Sequence, residues 1–196
     1  MTLEATKPTL AVEAATPDIL TPRLELIAIT LDMIHAGFAK SPDFAKLVNA
    51  DLPEGWPPAD WDDHAYEYVV DKMTRYPNSH GWGRYIALKP TAQESTNAGR
   101  RTLIGTCGAT LPIEINDDPE IGYGILPAYQ RRGYASEAVA ALIEWIFSHP
   151  HVRSVNAQTF PHLQPSLGVM AKNGLQFVGP GPGPEEGTVL YRKWRE

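Results

Sequence analysis

The 196-residue sequence lacks features that several protein classes require. Its single cysteine excludes an intramolecular disulfide framework and a cysteine-based zinc cluster, and it favours a reducing compartment. No apolar run approaches the roughly 20 residues of a membrane span, and the N-terminus lacks the basic-then-apolar order of a signal peptide. A net charge of -6 argues against a nucleic-acid binder. We therefore expect a soluble, cytoplasmic protein that binds neither nucleic acid nor membrane.

The composition and patterning that are present indicate a globular α/β chain. Residues 1–20 are rich in Thr, Ala and Pro and predict a flexible N-terminal arm, whereas residues 21–196 are expected to form one domain. Apolar periodicity predicts helices over 31–40, 61–76, 133–147 and 164–174. Strands are predicted over 23–29, 81–89, 102–113, 120–126, 154–160, 175–179 and 188–194. This order is mixed α/β with a largely antiparallel first half.

The stretch GYGILPAYQRRGYASEA (122–138) places two adjacent arginines at the start of the best-defined helix. A helix N-terminus already carries unsatisfied N–H groups and a partial positive charge, so Arg131 and Arg132 add charge of the same sign. Gly133 permits a close backbone approach, and Ala135 adds little bulk. These features favour a diphosphate held by successive amides from Arg131 to Ser136. Solvated arginines beside a turn glycine are the alternative.

The six residues Gln130-Arg131-Arg132-Gly133-Tyr134-Ala135 resemble the Q/R-x-x-G-x-G/A signature of the GNAT superfamily of N-acetyltransferases. In that superfamily the signature binds the pyrophosphate of acetyl-CoA. Further residues resemble the branch of ribosomal-protein N-terminal acetyltransferases: Gly122-Tyr123, Pro127, Tyr129, Ser136-Glu137-Ala138, Pro165-Ser166, Val169, Lys172, Gly174 and Phe177. The resemblance implies a GNAT-like central, mostly antiparallel, twisted sheet of six to seven strands with about four helices. Its fourth strand, here 120–126, would splay from its fifth, 154–160, after a bulge.

The resemblance also implies a function. The protein would be an acetyl-CoA-dependent N-acetyltransferase that moves the acetyl group directly to a primary amine, with acetyl-CoA as cosubstrate. Pantetheine would pair with main chain near Gly124 and Ile125. The residues implied to bind the diphosphate are Arg131, Arg132, Gly133, Tyr134, Ala135 and Ser136. Dimers are common in this family, so a homodimer is allowed.

The sequence does not identify the acceptor amine. The branch resemblance favours a protein or peptide N-terminus. A small molecule such as a polyamine or an antibiotic is an alternative, as is a non-catalytic CoA-binding or interaction module on the same fold. Loops 49–60, 77–82 and 161–165 would line the acceptor site.

Two side chains are candidates for the chemistry of acetyl transfer. Glu120, at the start of the fourth strand, is the first candidate for the base that accepts a proton from the amine; an ordinary exposed acid is the alternative, and Glu114 is a weaker candidate. Related acetyltransferases use a Ser or Tyr after the fifth strand to protonate the thiolate. The usual tyrosine position corresponds to Met170 here, so the role passes to Ser166. A serine bonded to local backbone is the alternative.

Three further features of the sequence bear on the cofactor and on catalysis. Leu163 departs from the family pattern, which often has an Asn there that contacts pantetheine. Cys107 shares strand parity with apolar residues, which predicts a buried small side chain and not an acyl-cysteine. The six histidines have no metal-binding spacing, so no metal is predicted.

Overall fold

The computed structural model describes residues 16–58, 61–76, 81–90, 99–110, 116–183 and 186–196. Outside these ranges lie residues 1–15 of the predicted arm, Glu114, and parts of the loops 49–60 and 77–82. In the described ranges, the strands and helices follow one another in a mixed α/β order with mostly antiparallel pairing, which confirms the predicted fold class. No helix in these ranges is long and apolar enough to cross a membrane.

The described part of the chain has nine β-strands and five α-helices. The strands are β1 (Ile19–Leu20), β2 (Leu24–Ala28), β3 (Ala50–Asp51), β4 (Gly83–Leu88), β5 (Arg101–Ala109), β6 (Ile121–Ile125), β7 (Ser154–Thr159), β8 (Gln176–Pro180) and β9 (Val189–Trp194). The helices are α1 (Leu31–Phe38), α2 (Phe44–Leu47), α3 (Asp63–Arg75), α4 (Tyr134–Phe147) and α5 (Gln164–Lys172), with a 3-10 turn at Pro127–Tyr129. The sequence did not predict β1, α2 and β3, because elements of two to four residues are too short to show a hydrophobic period.

The strands form two sheets that diverge between β6 and β7. The first has the order β1-β2-β4-β5-β3, with β6 also on β5, and the second has the order β7-β9-β8. All pairings are antiparallel except that of β3 with β5. Between β6 and β7 the described residues share one isolated parallel bridge, Glu120 to Asn156. The predicted splay is confirmed, whereas the expected bulge is absent from the β5–β6 register, which runs without a shift.

Helix α4 packs one apolar face against the first sheet and begins beside the gap between the sheets. Its buried residues are Tyr134, Ala138, Val139, Leu142, Ile143 and Ile146, and they share a core with β6, β7 and α5. A second core lies between the sheet and helices α1 to α3. Arg195 holds the other end of α4, since its guanidinium donates to the carbonyls of Phe147 (2.6 Å), Val152 (2.7 Å) and His149.

Candidate functional site

The N-terminus of α4 is shaped by two residues with left-handed backbone. Arg131 has φ 61° and Gly133, the N-cap, has φ 82° and ψ 4°. No side chain caps the helix, and the first helical hydrogen bond runs from Glu137 N to Gly133 O at 3.1 Å. The first-turn amides before Glu137 therefore have no helical acceptor, and they can donate to an anion. Both arginine side chains of the loop are exposed beside them.

A carboxylate in the first turn of α4 is bound by the turn between β1 and β2. Glu137 accepts hydrogen bonds from Thr21 Oγ1 (2.6 Å), Arg23 N (2.9 Å) and Arg23 Nε (2.6 Å). Burial alone would raise the pKa of the Glu137 carboxyl, but the hydrogen bonds from Thr21 and Arg23 outweigh burial and hold that pKa below its usual value. The negative charge of Glu137 is thus engaged by Arg23, so the positive charge of the loop is available to another anion.

Arg23 also fixes the arginine loop itself. Its Nη1 donates to the carbonyl of Arg132 at 2.9 Å, and its guanidinium lies 4.6 Å from the ring centroid of Tyr134. Sequence reasoning missed Arg23 because it precedes Arg132 by 109 residues, and no local spacing relates the two.

The main chain of β6 offers hydrogen-bonding groups to the gap between the sheets. Leu126 N donates to Ile104 O, and Glu120 O accepts from Thr110 N, both at 2.8 Å. Because such bonds alternate along an antiparallel strand, the main-chain groups of Tyr123 and Ile125 face away from β5. The carbonyl of Ile125 accepts from Gln130 Nε2 at 2.8 Å. Of the two residues predicted to meet pantetheine, Ile125 presents its backbone to the gap, whereas Gly124 presents its backbone to β5.

Glu120 lies where the two sheets meet, at the closed end of the gap. Its backbone forms the bridge to Asn156, and its N–H donates to Thr110 Oγ1 at 3.0 Å. Its carboxylate accepts a hydrogen bond from Gln158 Nε2 on β7. The predicted base is therefore held by contacts to both sheets.

The face of β6 that carries Glu120 is opposite the face that packs on α4. Side chains alternate along a strand, so Glu120, Gly122 and Gly124 share one face. Gly124 is directly across from Thr106 on β5, and Trp61, just before α3, donates from Nε1 to Thr106 Oγ1 at 2.9 Å. This face is therefore the side of helices α1 to α3. A Cβ added to Gly122 would have no heavy atom of the described residues within 4 Å, so among these residues the surface beside Glu120 is open.

Ser166 lies in the first turn of α5 and contacts a tyrosine from β6. Its Oγ and its carbonyl oxygen both lie 3.2 Å from the Tyr123 hydroxyl oxygen, so the single phenol proton can go to either acceptor. Burial raises the pKa of Tyr123, and the hydrogen bond with Ser166 opposes this in part. Met170 is 1% exposed and belongs to the core, and Leu163 is exposed. Sequence reasoning used Tyr123 only as part of the family pattern and missed its contact with Ser166.

Cys107 and Trp56 both belong to packed regions. Cys107 is buried as predicted, and burial raises its thiol pKa to about 12. Trp56 stacks on Phe44, with ring centroids 6.3 Å apart, in the core beneath α1 to α3. Among the described residues, no group of three or more His, Cys, Asp or Glu side chains could hold a metal ion.

Comparisons with known proteins agree with this geometry. The model of the acetyltransferase (GNAT) domain family matches residues 23–176. An uncharacterized N-acetyltransferase p20 from Bacillus licheniformis is 34% identical over 79 residues, which are 40% of this chain and 43% of the relative. The chain thus matches less than half the length of that relative.

Solved structures match over nearly the whole chain. An acetyltransferase from Agrobacterium tumefaciens str. C58 has a TM-score of 0.59 and 21% identity, and the match covers 96% of this chain and 100% of the other. RimL, a ribosomal L7/L12 alpha-N-protein acetyltransferase in complex with coenzyme A, has a TM-score of 0.60 and 17% identity over 91% of this chain and 98% of its own. At these identities, the likeness is one of fold.

Proposed function

Because the chain belongs to the GNAT acetyltransferase family, we propose that it is an acetyl-CoA-dependent N-acetyltransferase whose acceptor is the N-terminal amine of a protein or peptide. The observation that carries the proposal is the uncapped start of α4, where left-handed Gly133 and two exposed arginines adjoin the gap between β6 and β7.

The residues at this site fit the cosubstrate. The amides of residues 131–136 would bind the diphosphate, with Arg131 and Arg132 adding charge-assisted contacts. Gly133 has the left-handed backbone that favours glycine, and a Cβ there would lie 3.4 Å from Arg23 Nη2. The gap-facing main-chain groups of Tyr123 and Ile125 would bind pantetheine as an added strand does. Acetyl-CoA supplies the acetyl group as a thioester.

The acceptor amine would approach from the side of α1 to α3, where Gly122 leaves the surface open. Glu120 lies on this face and would accept a proton from the amine, directly or through water, because an alkylammonium cannot attack a carbonyl. Attack forms the C–N bond and breaks the C–S bond. Ser166, across the gap, would donate a proton to the sulfur that leaves. The enzyme itself forms no covalent bond to the acetyl group.

Three observations support a peptide N-terminus as the acceptor. The open surface at Gly122 can admit an extended chain, and the net charge of -6 favours approach of a cationic amine. The structural neighbour RimL is described as acting on an alpha-N-protein acceptor. A small-molecule amine and a non-catalytic CoA-binding role are the alternatives that the assay below separates.

The test begins with calorimetric titration of acetyl-CoA, with dephospho-CoA and ATP as comparison ligands. Thiol release from acetyl-CoA is then followed with lysine-free peptides that differ in their first residue. Each peptide has a matched control with a blocked α-amine. We expect micromolar acetyl-CoA binding and release only with free α-amines. Turnover with spermidine but not with peptides would assign a small-molecule acceptor, and binding without turnover on either class would favour the non-catalytic role.

A further inference from the structure

We propose that Tyr123 is the proton source behind Ser166, so that the hydroxyl pair passes a proton to the sulfur of CoA as the thioester breaks. This inference rests on the proposed function and adds a residue to it. Tyr123 would act through Ser166 and is in that sense a positioning residue.

The first support is geometric. Tyr123 belongs to β6 and Ser166 belongs to the helix that follows β7, so their contact spans the two strands that diverge. The phenol oxygen is 3.2 Å from Ser166 Oγ, and either oxygen can be the donor. The backbone of Tyr123 faces the gap and its hydroxyl reaches the helix after β7, so the hydroxyl pair would flank the path proposed for pantetheine.

The second support is the acid strength of the two hydroxyls. An ordinary thiol has a pKa of about 8.5 and a tyrosine of about 10, whereas a serine hydroxyl is a far weaker acid than either. Ser166 alone would therefore give up its proton to a thiolate at a large energetic cost. A tyrosine proton that moves to Ser166 Oγ as the serine proton moves to sulfur avoids a serine alkoxide. Burial raises the pKa of Tyr123, so the phenol stays protonated at neutral and mildly alkaline pH.

The protons balance in this scheme. The C–S bond breaks and its electron pair stays on sulfur, which takes the proton of Ser166. Ser166 Oγ takes the proton of Tyr123. The proton released by the acceptor nitrogen as the amide forms returns to the phenolate through solvent.

The third support is the position of Met170. The family's usual tyrosine position on this helix is filled here by a methionine that is 1% exposed. The hydroxyl of Tyr123 instead reaches the same helix from β6, and it contacts the serine that would otherwise act alone.

The test compares Tyr123→Phe, Ser166→Ala and the double variant with wild type. Tyr68→Phe serves as the control, because Tyr68 is an exposed tyrosine on α3. Affinities for CoA and for desulfo-CoA, which lacks the sulfur, are measured by calorimetry at pH 9, where part of the CoA thiol is ionised. We expect wild type and Tyr68→Phe to prefer CoA by about tenfold, which corresponds to about 1.4 kcal/mol for a charge-assisted hydrogen bond. Tyr123→Phe should lower this preference at least threefold while binding desulfo-CoA as wild type does.

A purely structural role of Tyr123 would change the affinities for both ligands equally, and this result would overturn the inference. An unchanged preference in Tyr123→Phe would overturn it as well. If neither ligand binds folded wild type, the proposed function fails, and the relay fails with it. In turnover with a peptide that has a free α-amine, Tyr123→Phe should lower kcat at least tenfold with a KM for acetyl-CoA within twofold of wild type, and the double variant should be no slower than Ser166→Ala. Additive losses in the double variant would contradict a relay.

Discussion

Arg23 Nε lies 2.6 Å from Glu137 Oε2, so the residue that precedes β2 is ion-paired with the first turn of α4. The same guanidinium donates to the carbonyl of Arg132. The loop proposed to bind the diphosphate is therefore held in shape by the turn between β1 and β2, and its geometry depends on a contact outside the signature sequence.

The first prediction concerns the pH dependence of stability at this ion pair. Because the folded pKa of Glu137 lies below its unfolded value, its contribution is present above the unfolded pKa and is lost as pH falls through the folded pKa. Glu137→Gln should lower the free energy of unfolding by about 1 kcal/mol at pH 7, and the difference from wild type should shrink below about pH 4. Denaturant unfolding over pH 3–7 measures this, with the exposed Glu144→Gln as control. A difference that stays constant to pH 3 would contradict the role of the ionised carboxylate.

The second prediction separates charge from backbone strain at Gly133. Gly133→Asp should abolish acetyl-CoA binding, because it places a carboxylate where the diphosphate is proposed to lie. Gly133→Asn is the matched control, since Asn has nearly the same shape, is neutral, and tolerates the left-handed backbone at φ 82°. We expect Asn to weaken binding by roughly tenfold or less. Equal affinity in both variants, with the fold intact by circular dichroism, would remove the diphosphate from this position.

The third prediction tests the side from which the acceptor approaches. Gly122→Leu should raise the acceptor KM at least tenfold and leave acetyl-CoA affinity within twofold, because Gly122 lies on the α1 to α3 face in open space. Gly168→Ala, at an open position on α5, is the control. Steady-state kinetics with a peptide acceptor and calorimetry with acetyl-CoA measure the two effects. Loss of acetyl-CoA binding in Gly122→Leu would place the cosubstrate on this face instead.

The fourth prediction concerns the proposed base. Glu120→Gln should lower kcat/KM more at pH 6 than at pH 9, because the fraction of acceptor amine that needs deprotonation grows as pH falls. Glu120→Asp keeps a carboxylate and should retain part of the rate at pH 6. A pH–rate profile for the three proteins measures this. If Glu120→Gln keeps the wild-type profile, Glu120 has no part in proton transfer.

The fifth prediction excludes an acetyl-cysteine. Cys107 is 5% exposed, and burial raises its pKa to about 12, so the thiol is neutral and shielded at pH 8. Iodoacetamide should leave Cys107 unmodified in the native protein and label it after unfolding, and Cys107→Ala should keep turnover within a few fold. Mass spectrometry of the protein incubated with acetyl-CoA would reveal an acetylated Cys107, and such a species would overturn direct transfer.

The parts of the site that could be predicted from the sequence are those built from neighbouring residues. The turn glycine, the two arginines and the apolar face of α4 lie within 26 residues of one another at 122–147, so their arrangement follows from local geometry. The contact between Arg23 and Glu137 joins residues 114 apart, and that between Tyr123 and Ser166 joins residues 43 apart. Such pairs depend on strand register and helix packing, which a single sequence does not specify.

Strand register also decided which backbone groups face the gap. The family resemblance predicts that pantetheine pairs with main chain near Gly124 and Ile125. A shift of one residue in the register of β6 on β5 would exchange the directions in which their backbone groups point. The hydrogen bonds from Leu126 N to Ile104 O and from Thr110 N to Glu120 O fix the register of β6 on β5. In this register the backbone groups of Ile125 face the gap.

Because the described residues share one bridge between β6 and β7, a cosubstrate bound in the gap would add to the stability of the fold. A molecule seated in the gap contacts both sheets, so its binding free energy adds to the free energy that holds them together. At a hundred times its Kd, such a molecule adds about 2.7 kcal/mol to the free energy of unfolding. Proteolysis through the unfolded state should therefore slow when acetyl-CoA is bound.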